Sequence, residues 1–276
     1  MLTVSTSVSV RVASSLNRLH RRKSKKALQT SAFFVSALFS VSFAHADCPW
    51  LPGGFEAEVV EVYDGDTVRL RDGQRVRLIG IDTPELGRNG APDQPGARAA
   101  KRWLEQHVLE QRVYLLPGAE PRDRYNRTLA HLYRQDRLVS EQMVRRGLGF
   151  ALAVGANTRL ADCLFSAEGS SRARSLGVWQ RAPRAAGAIE KPGFAIIRGH
   201  ISRMTPTRSG LYLDVDDHLA LFLPARLASG VEGLRMGTQV EARGWVQDRL
   251  ERQSRLRPGQ QRWLLRITAP QHLQTN

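Results

Sequence analysis

Three short stretches hold most of the residues able to do chemistry. Tyr63-Asp64-Gly65-Asp66-Thr67 precedes a strand-like run. Arg77-Leu78-Ile79-Gly80-Ile81-Asp82-Thr83-Pro84-Glu85 closes the next one, and Asp123-Arg124-Tyr125-Asn126-Arg127 precedes a later one. They supply carboxylates and guanidinium groups and little else that reacts. Carboxylates suit a hard divalent cation, which takes oxygen ligands, and one can draw a proton from water. The planar fork of arginine matches phosphate oxygens in pairs. Together these groups fit attack on an anionic phosphodiester, whose transition state gathers charge on the oxygens around phosphorus. No His/Cys cluster, GxSxG elbow or P-loop offers a rival chemistry. Each stretch alone also reads as a polar turn, Arg77 as a cross-strand partner and Arg127 as a surface charge. The argument rests on their combination, in order, in one strand-rich basic domain.

The elements that must position these groups follow from hydrophobic period. Phe55 to Ile81 is strand-like and rich in turns. Val68 and Leu70 alternate with Arg69 and Arg71, and Val76 and Leu78 with Arg75 and Arg77. Asp72-Gly73 between them signals a tight hairpin. A loop rich in Gly and Pro runs from Pro84 to Gly96. Ala97 to Val108 has helical spacing, with Ala100, Trp103, Leu104 and Val108 on one face. Strands are expected over Val113–Leu116 and Thr128–Tyr133. Helices are expected over Val139–Arg146, stopped by Gly147, and over Thr158–Leu176.

The formal charge of the 276-residue chain is +15. Residues 1–46 read as a signal peptide: a basic stretch around Arg21, Arg22, Lys23, Lys25 and Lys26, an apolar run from Ala32 to Phe43, then Ala44-His45-Ala46. A membrane anchor is the other reading, though the run is short for a bilayer. Cleavage would remove seven Lys and Arg and leave about +8, still suited to a polyanionic partner. Periplasmic or secreted localisation is expected, with no stable membrane association after cleavage. Cys48 and Cys163 are the two cysteines. In an exported chain they suggest one disulfide; buried free thiols are the alternative.

The strings YDGDTVRL, VRLIGIDTPE and DRYNRTLAHLY, with LVSEQMVRRGLG and SLGVW after them, make the stretch from Val59 to Trp179 resemble the staphylococcal nucleases, or thermonucleases. The resemblance implies mainly β structure with packed helices (α+β), built on a five-stranded barrel of the oligonucleotide-binding (OB-fold) type. It implies a calcium ion held by Asp66, Asp82 and the backbone carbonyl of Thr83, with Asp64 supporting. Glu85 would activate the attacking water, Arg77 and Arg127 would grip the phosphate, and Tyr125 would contact the substrate. DNA and RNA would be cut at the 5′ side of the phosphodiester, leaving 3′-phosphate ends. The loop after Glu85 departs in detail from better-known members, and Gly96 stands where a glutamate is common. Some relatives keep the fold without the catalytic groups and only bind; here Asp66, Arg77, Asp82, Glu85 and Arg127 are all in place.

The expected division is a signal peptide (1–46), a catalytic domain (47–181), a linker (182–192) and a second small OB-like β-barrel (193–276). In the last block the apolar runs are Phe194–Ile201, Leu211–Val215, Leu219–Leu223, Val240–Val246 and Trp263–Ile267. Arg249, Arg252, Arg255, Arg257 and Arg262 near Trp245, Trp263 and Tyr212 either hold nucleic acid or lie on a solvated loop over core tryptophans. Asp214, Asp216 and Asp217 read as a solvated strand end. No protein partner is legible, and a monomer is the simplest expectation.

Overall fold

The computed structural model describes residues 47–231 and 233–275; the expected signal peptide lies outside them. The two alternating runs around Asp72-Gly73 form an antiparallel hairpin. Strand β1 (Phe55–Val62) pairs with β2 (Thr67–Leu70), and β2 with β3 (Arg75–Leu78). Gly73 adopts φ +88°, and Asp72 Oδ1 accepts from Gln74 N at 2.9 Å, which fixes the turn. A short strand β4 (Ile81–Asp82) follows. Helix α1 spans Ala97–Val108, as its spacing requires, and buries Ala100, Leu104 and Val108. Gly96 caps it at φ +97°, a conformation that a glutamate with its Cβ adopts only under strain. Strands β5 (Arg112–Arg122) and β6 (Thr128–Arg134) complete the sheet. Strand β6 runs parallel to β3 and closes a five-stranded barrel in the order β3-β2-β1-β5-β6.

The alternation of the sequence puts Val68, Leu70, Val76, Leu78, Leu115 and Leu132 inside this barrel. Fully burying a leucine such as Leu104 against them stabilises by about 2 kcal/mol. Strand β7 (Arg137–Leu138) leads into α2 (Val139–Arg145). Strand β8 (Phe150–Ala151) pairs with β4, and α3 (Ala161–Ala173) starts three residues later than its apolar period suggests. Cys48 and Cys163 form a disulfide across 115 residues. Closing a loop of that length removes about 5 kcal/mol of unfolded-state entropy. The free-thiol alternative is thereby set aside.

The C-terminal strands repeat the same circuit. Strand β9 is a bridge at Arg184–Ala185. Strands β10 (Gly193–Thr207), β11 (Gly210–Val215) and β12 (Leu219–Pro224) form a meander. A single turn α4 (Ala225–Ala228) follows, then β13 (Gln239–Asp248) and β14 (Trp263–Arg266). Strand β12 pairs parallel with β14, and β13 pairs back to β10. This is a second barrel of OB type with its own core of Ile197, Leu213, Val215, Leu221 and Val240. Strand β15 (Leu273–Thr275) joins the edge of β13. The 182–192 stretch, linker-like in composition, inserts Ala186 and Ile189 into this second core.

A polar seam joins the barrels. Arg243 on β13 is 3 % exposed; its Nη1 lies 2.9 Å from Glu168 Oε2 and donates to Ala151 O at 3.0 Å. Arg172 meets Glu241 through two 2.7 Å bonds. His272 Nε2 accepts from Ala153 N at 3.1 Å, so the ring must be neutral there, with its proton on Nδ1 toward Thr268 Oγ1 at 3.0 Å. Burial, with Arg243 nearby, pushes His272 down to about 4, and burial pushes His131 down to about 4. At these two sites the unfolded chain therefore binds more protons between about pH 6.5 and 4, and their contribution to stability falls as pH drops through that window. The loss is on the order of 3 kcal/mol for each histidine. Urea unfolding of wild type and His272→Gln at pH 7.5 and 4.5 should show it: between the two pH values the variant should gain on wild type by about 3 kcal/mol. An unchanged pH slope in that variant contradicts the assignment.

Candidate active site

The hairpin register places Arg77 directly across from Thr67, so its guanidinium meets the acidic turn that precedes β2. Arg77 Nη1 lies 2.7 Å from Asp66 Oδ2, and Nη2 lies 3.1 Å from Asp82 Oδ1. Nη1 also donates to Ile81 O at 3.0 Å. One planar group thus ties the first constellation to the second. Thr83 reinforces the link, donating to Asp66 Oδ2 from its backbone N at 2.9 Å and from Oγ1 at 2.8 Å. Asp64 Oδ1 accepts from Asp66 N at 3.1 Å and shapes the turn from within. Gly65 is required at its place for space: a Cβ there would stand 2.6 Å from Ala100 Cβ and 2.7 Å from Thr83 Oγ1. The turn can therefore press against α1 and the Thr83 side chain.

Asp82 owes its position to the short β4–β8 pairing, in which it faces Phe150. The same β8 backbone is held from behind: Ala151 N donates to Glu168 Oε1 at 2.7 Å, and Ala151 O accepts from Arg243. The second barrel therefore braces the strand pair that carries Asp82.

Electrostatics are strong here because the charges are largely out of water: the Asp66 side chain is 4 % exposed, that of Arg77 13 % and that of Asp82 15 %. Burial holds Asp66 well above the ordinary carboxylate range, even against the pull of Arg77. Burial likewise pushes Asp82 up to about 6, with Arg77 opposing and Glu85 adding to the rise. Burial works against the charge on Arg77, but Asp66 and Asp82 outweigh it and keep its pKa above the usual value. Such displaced groups concentrate where a protein does chemistry.

Arg127 immediately precedes the adjoining strand, β6. It stands two residues before Leu129, the register partner of Arg77. Asp123 fixes it: Arg127 Nε donates to Asp123 Oδ2 at 2.7 Å, and Arg127 N to Oδ1 at 2.9 Å. Burial acts upward on Asp123, but the hydrogen bonds from Arg127 and Tyr125 prevail and lower its pKa. Arg77, Asp123 and Arg127 line one cleft, with Leu78, Ile79 and Leu129 among its apolar walls. Tyr125 is 64 % exposed at the turn tip, with Arg127 5.5 Å from its ring centroid. Glu85 is exposed on the loop after Asp82, and its charge is felt at both Arg77 and Asp82. Gln94 clamps that loop, accepting from Glu85 N at 3.0 Å and donating to Glu85 O at 2.9 Å.

The donors around Asp66 and Asp82 are all oxygens, which suits a hard cation. Among the described residues no three His, Cys, Asp or Glu side chains group together as a metal cage. A cation here would take two carboxylates and the Thr83 carbonyl, and would need solvent or substrate oxygens for the rest. Asp123 was named within the third stretch without a role of its own, and Glu168 was not named. The i, i+4 spacing of Asp123 and Arg127 is a local signal for the first; nothing local signals the second.

A model of the family described as staphylococcal nuclease homologue matches residues 75–181. The thermonuclease of Staphylococcus intermedius is 36% identical over 126 residues, which cover 45% of this chain and 75% of that protein. The chain belongs to the staphylococcal nuclease family. The thermonuclease of Staphylococcus hyicus is 30% identical over 125 residues, 44% of this chain and 74% of that one. A protein named probable endonuclease LCL3, of Colletotrichum graminicola, is 31% identical over 111 residues, 38% of this chain and 40% of that one. The protein is thus a nuclease, a hydrolase. The family match begins at Arg75, so Asp64 and Asp66 precede it and join the site through Arg77 and Thr83.

Proposed function

We propose that this nuclease hydrolyses phosphodiester bonds of DNA and RNA with a calcium ion, leaving 3′-phosphate ends. Asp66, Asp82 and the Thr83 carbonyl would hold the ion, which when bound supplies positive charge against the scissile phosphate. Glu85 draws a proton from the attacking water. Arg77 and Arg127 hold two sides of the phosphate, and Tyr125 contacts the substrate beside it. Asp64 keeps the acidic turn in shape. The observation that carries this reading is the Arg77 fork spanning Asp66 and Asp82, two carboxylates from separate sequence stretches. Burial of that trio favours an added cation, because two carboxylates near one guanidinium leave negative charge uncompensated.

The disulfide fits an exported protein, as does the basic and then apolar order of residues 18–46. We infer periplasmic or secretory placement and action as a monomer, with 47–181 as the catalytic domain and 193–276 as the second. Among the described residues no helix is long and apolar enough to cross a membrane.

The test is cleavage of plasmid DNA and of an RNA transcript with millimolar calcium or with EGTA. Chelation should slow both reactions by roughly a hundredfold or more, and the products should carry 3′-phosphates by end-labelling. Equal rates with EGTA would refute the calcium role. Intact but retarded DNA in calcium would instead describe a binding protein.

A further inference from the structure

The nuclease cleft is completed from the other barrel. Trp245 lies on β13 and lines the cleft that holds Arg77 and Arg127. Among the described residues lining that cleft it is the one aromatic ring. Trp179 and Trp263 behave as core, each 4 % exposed. Trp245 is 43 % exposed, a large ring left open to solvent. It is also held in place. Two residues earlier, Arg243 is locked to Glu168 and Ala151 O. The indole meets Phe194 edge-on at 5.3 Å, and Phe194 lies 5.9 Å from Phe150. Phe150 is the register partner of Asp82. A chain of contacts therefore fixes the ring relative to the catalytic strand.

The cleft lining combines two kinds of surface. Arg77 and Arg127 supply guanidinium groups, and Leu129, Leu152, Val154 and the indole supply apolar surface. A nucleotide likewise combines an anionic phosphate and a flat base. We propose that Trp245 is a nucleobase-stacking residue of the nuclease cleft, through which the second barrel takes part in substrate binding. This rests on the assignment of Arg77 and Arg127 to the phosphate. Stacking of this kind tolerates any base and favours single strands, whose bases are free to leave their neighbours.

The test uses the full mature chain with calcium and two substrates of equal length. One is a single-stranded oligodeoxythymidylate; the other carries the same phosphates on abasic tetrahydrofuran units. Trp245→Ala should raise KM for the thymidylate oligomer roughly 5- to 100-fold, with kcat changed less than twofold. Trp245→Phe should recover most of the loss. On the abasic oligomer wild type and Trp245→Ala should have the same KM. A thymidylate KM unchanged by Trp245→Ala would overturn the proposal. So would an equal rise on both oligomers, which would mean the ring only holds the barrels in register. Anisotropy with the same labelled oligomers separates this from the cleavage reading. Base-dependent weakening by Trp245→Ala without any cleavage by wild type would uphold stacking and sink the catalytic assignment.

Discussion

Glu85→Gln is expected to lower kcat by roughly 10²- to 10⁴-fold, the usual contribution of a positioned general base, while KM and the fold stay close to wild type. The substitution keeps the size of the side chain and removes its capacity to accept a full proton. The loop should not move, because it is held by backbone groups: Gln94 bonds Glu85 through both its N and O, and Gly87 N donates to Asp93 Oδ1 at 2.9 Å. Glu85 is exposed, so no buried partner is orphaned. Its charge nevertheless acts on Asp82 and Arg77, the groups proposed to hold the ion and the phosphate. Single-turnover rates with calcium, alongside far-UV circular dichroism, provide the check. A rate within fivefold of wild type would move the base elsewhere.

The juxtaposition of Arg77 with Asp66 and Asp82 follows from features legible in the sequence. Val68 and Leu70, then Val76 and Leu78, alternate strictly, and the alternation forces Arg77 onto the opposite face from the core. Asp72-Gly73 set the register that brings Arg77 across from Thr67. Helix α1 was equally plain, since Gly96 marks its start and its apolar residues recur at helical spacing. The contributions from packing were not legible. Strands β4 and β8 are two residues each, too short to show a period, yet their pairing fixes Asp82. The 182–192 stretch has linker composition, but Ala186 and Ile189 find a core built by strands later in the chain.

The arginines of the second barrel show the same limit. Read from the sequence, the arginines from Arg249 to Arg262 either hold nucleic acid or lie on a solvated loop. The fold commits Arg243 to a buried carboxylate, Glu168, that lies 75 residues earlier. Arg262 is committed to Asp248 at 2.6 Å, and Asp214 is no solvated strand end but a buried partner of Arg203, at 2.7 Å from its Nε. The two tryptophans of that barrel part ways as well: Trp263 enters the core and Trp245 faces the cleft. Residue type alone could not divide them, because the difference arises from which neighbour each strand receives.

Arg77→Lys is expected to lower kcat roughly 10²- to 10³-fold, the scale of losing one preorganised donor to a developing anion, even though the charge is kept. The guanidinium reaches Asp66, Asp82 and the Ile81 carbonyl at once. An ammonium on a flexible stem has no fork, and satisfying one carboxylate draws it away from the other and from the phosphate. Arg77→Met separates the catalytic contribution from the structural one. It leaves Asp66 and Asp82 buried without their counter-charge, which costs roughly 3–5 kcal/mol near neutral pH. Both carboxylates already titrate above their unfolded values in the wild type, because burial raises them. Without Arg77 they rise further, so the folded state takes up protons more readily than the unfolded one. The cost must therefore shrink as pH falls from 8 toward 5. Urea unfolding of the two variants in EGTA checks this. Arg77→Lys should stay near wild type at both pH values, and Arg77→Met should be markedly weaker at pH 8 than at pH 5. A penalty for Arg77→Met that is equal at the two pH values would mean that the trio is not buried together, and the cation site proposed on it would fall.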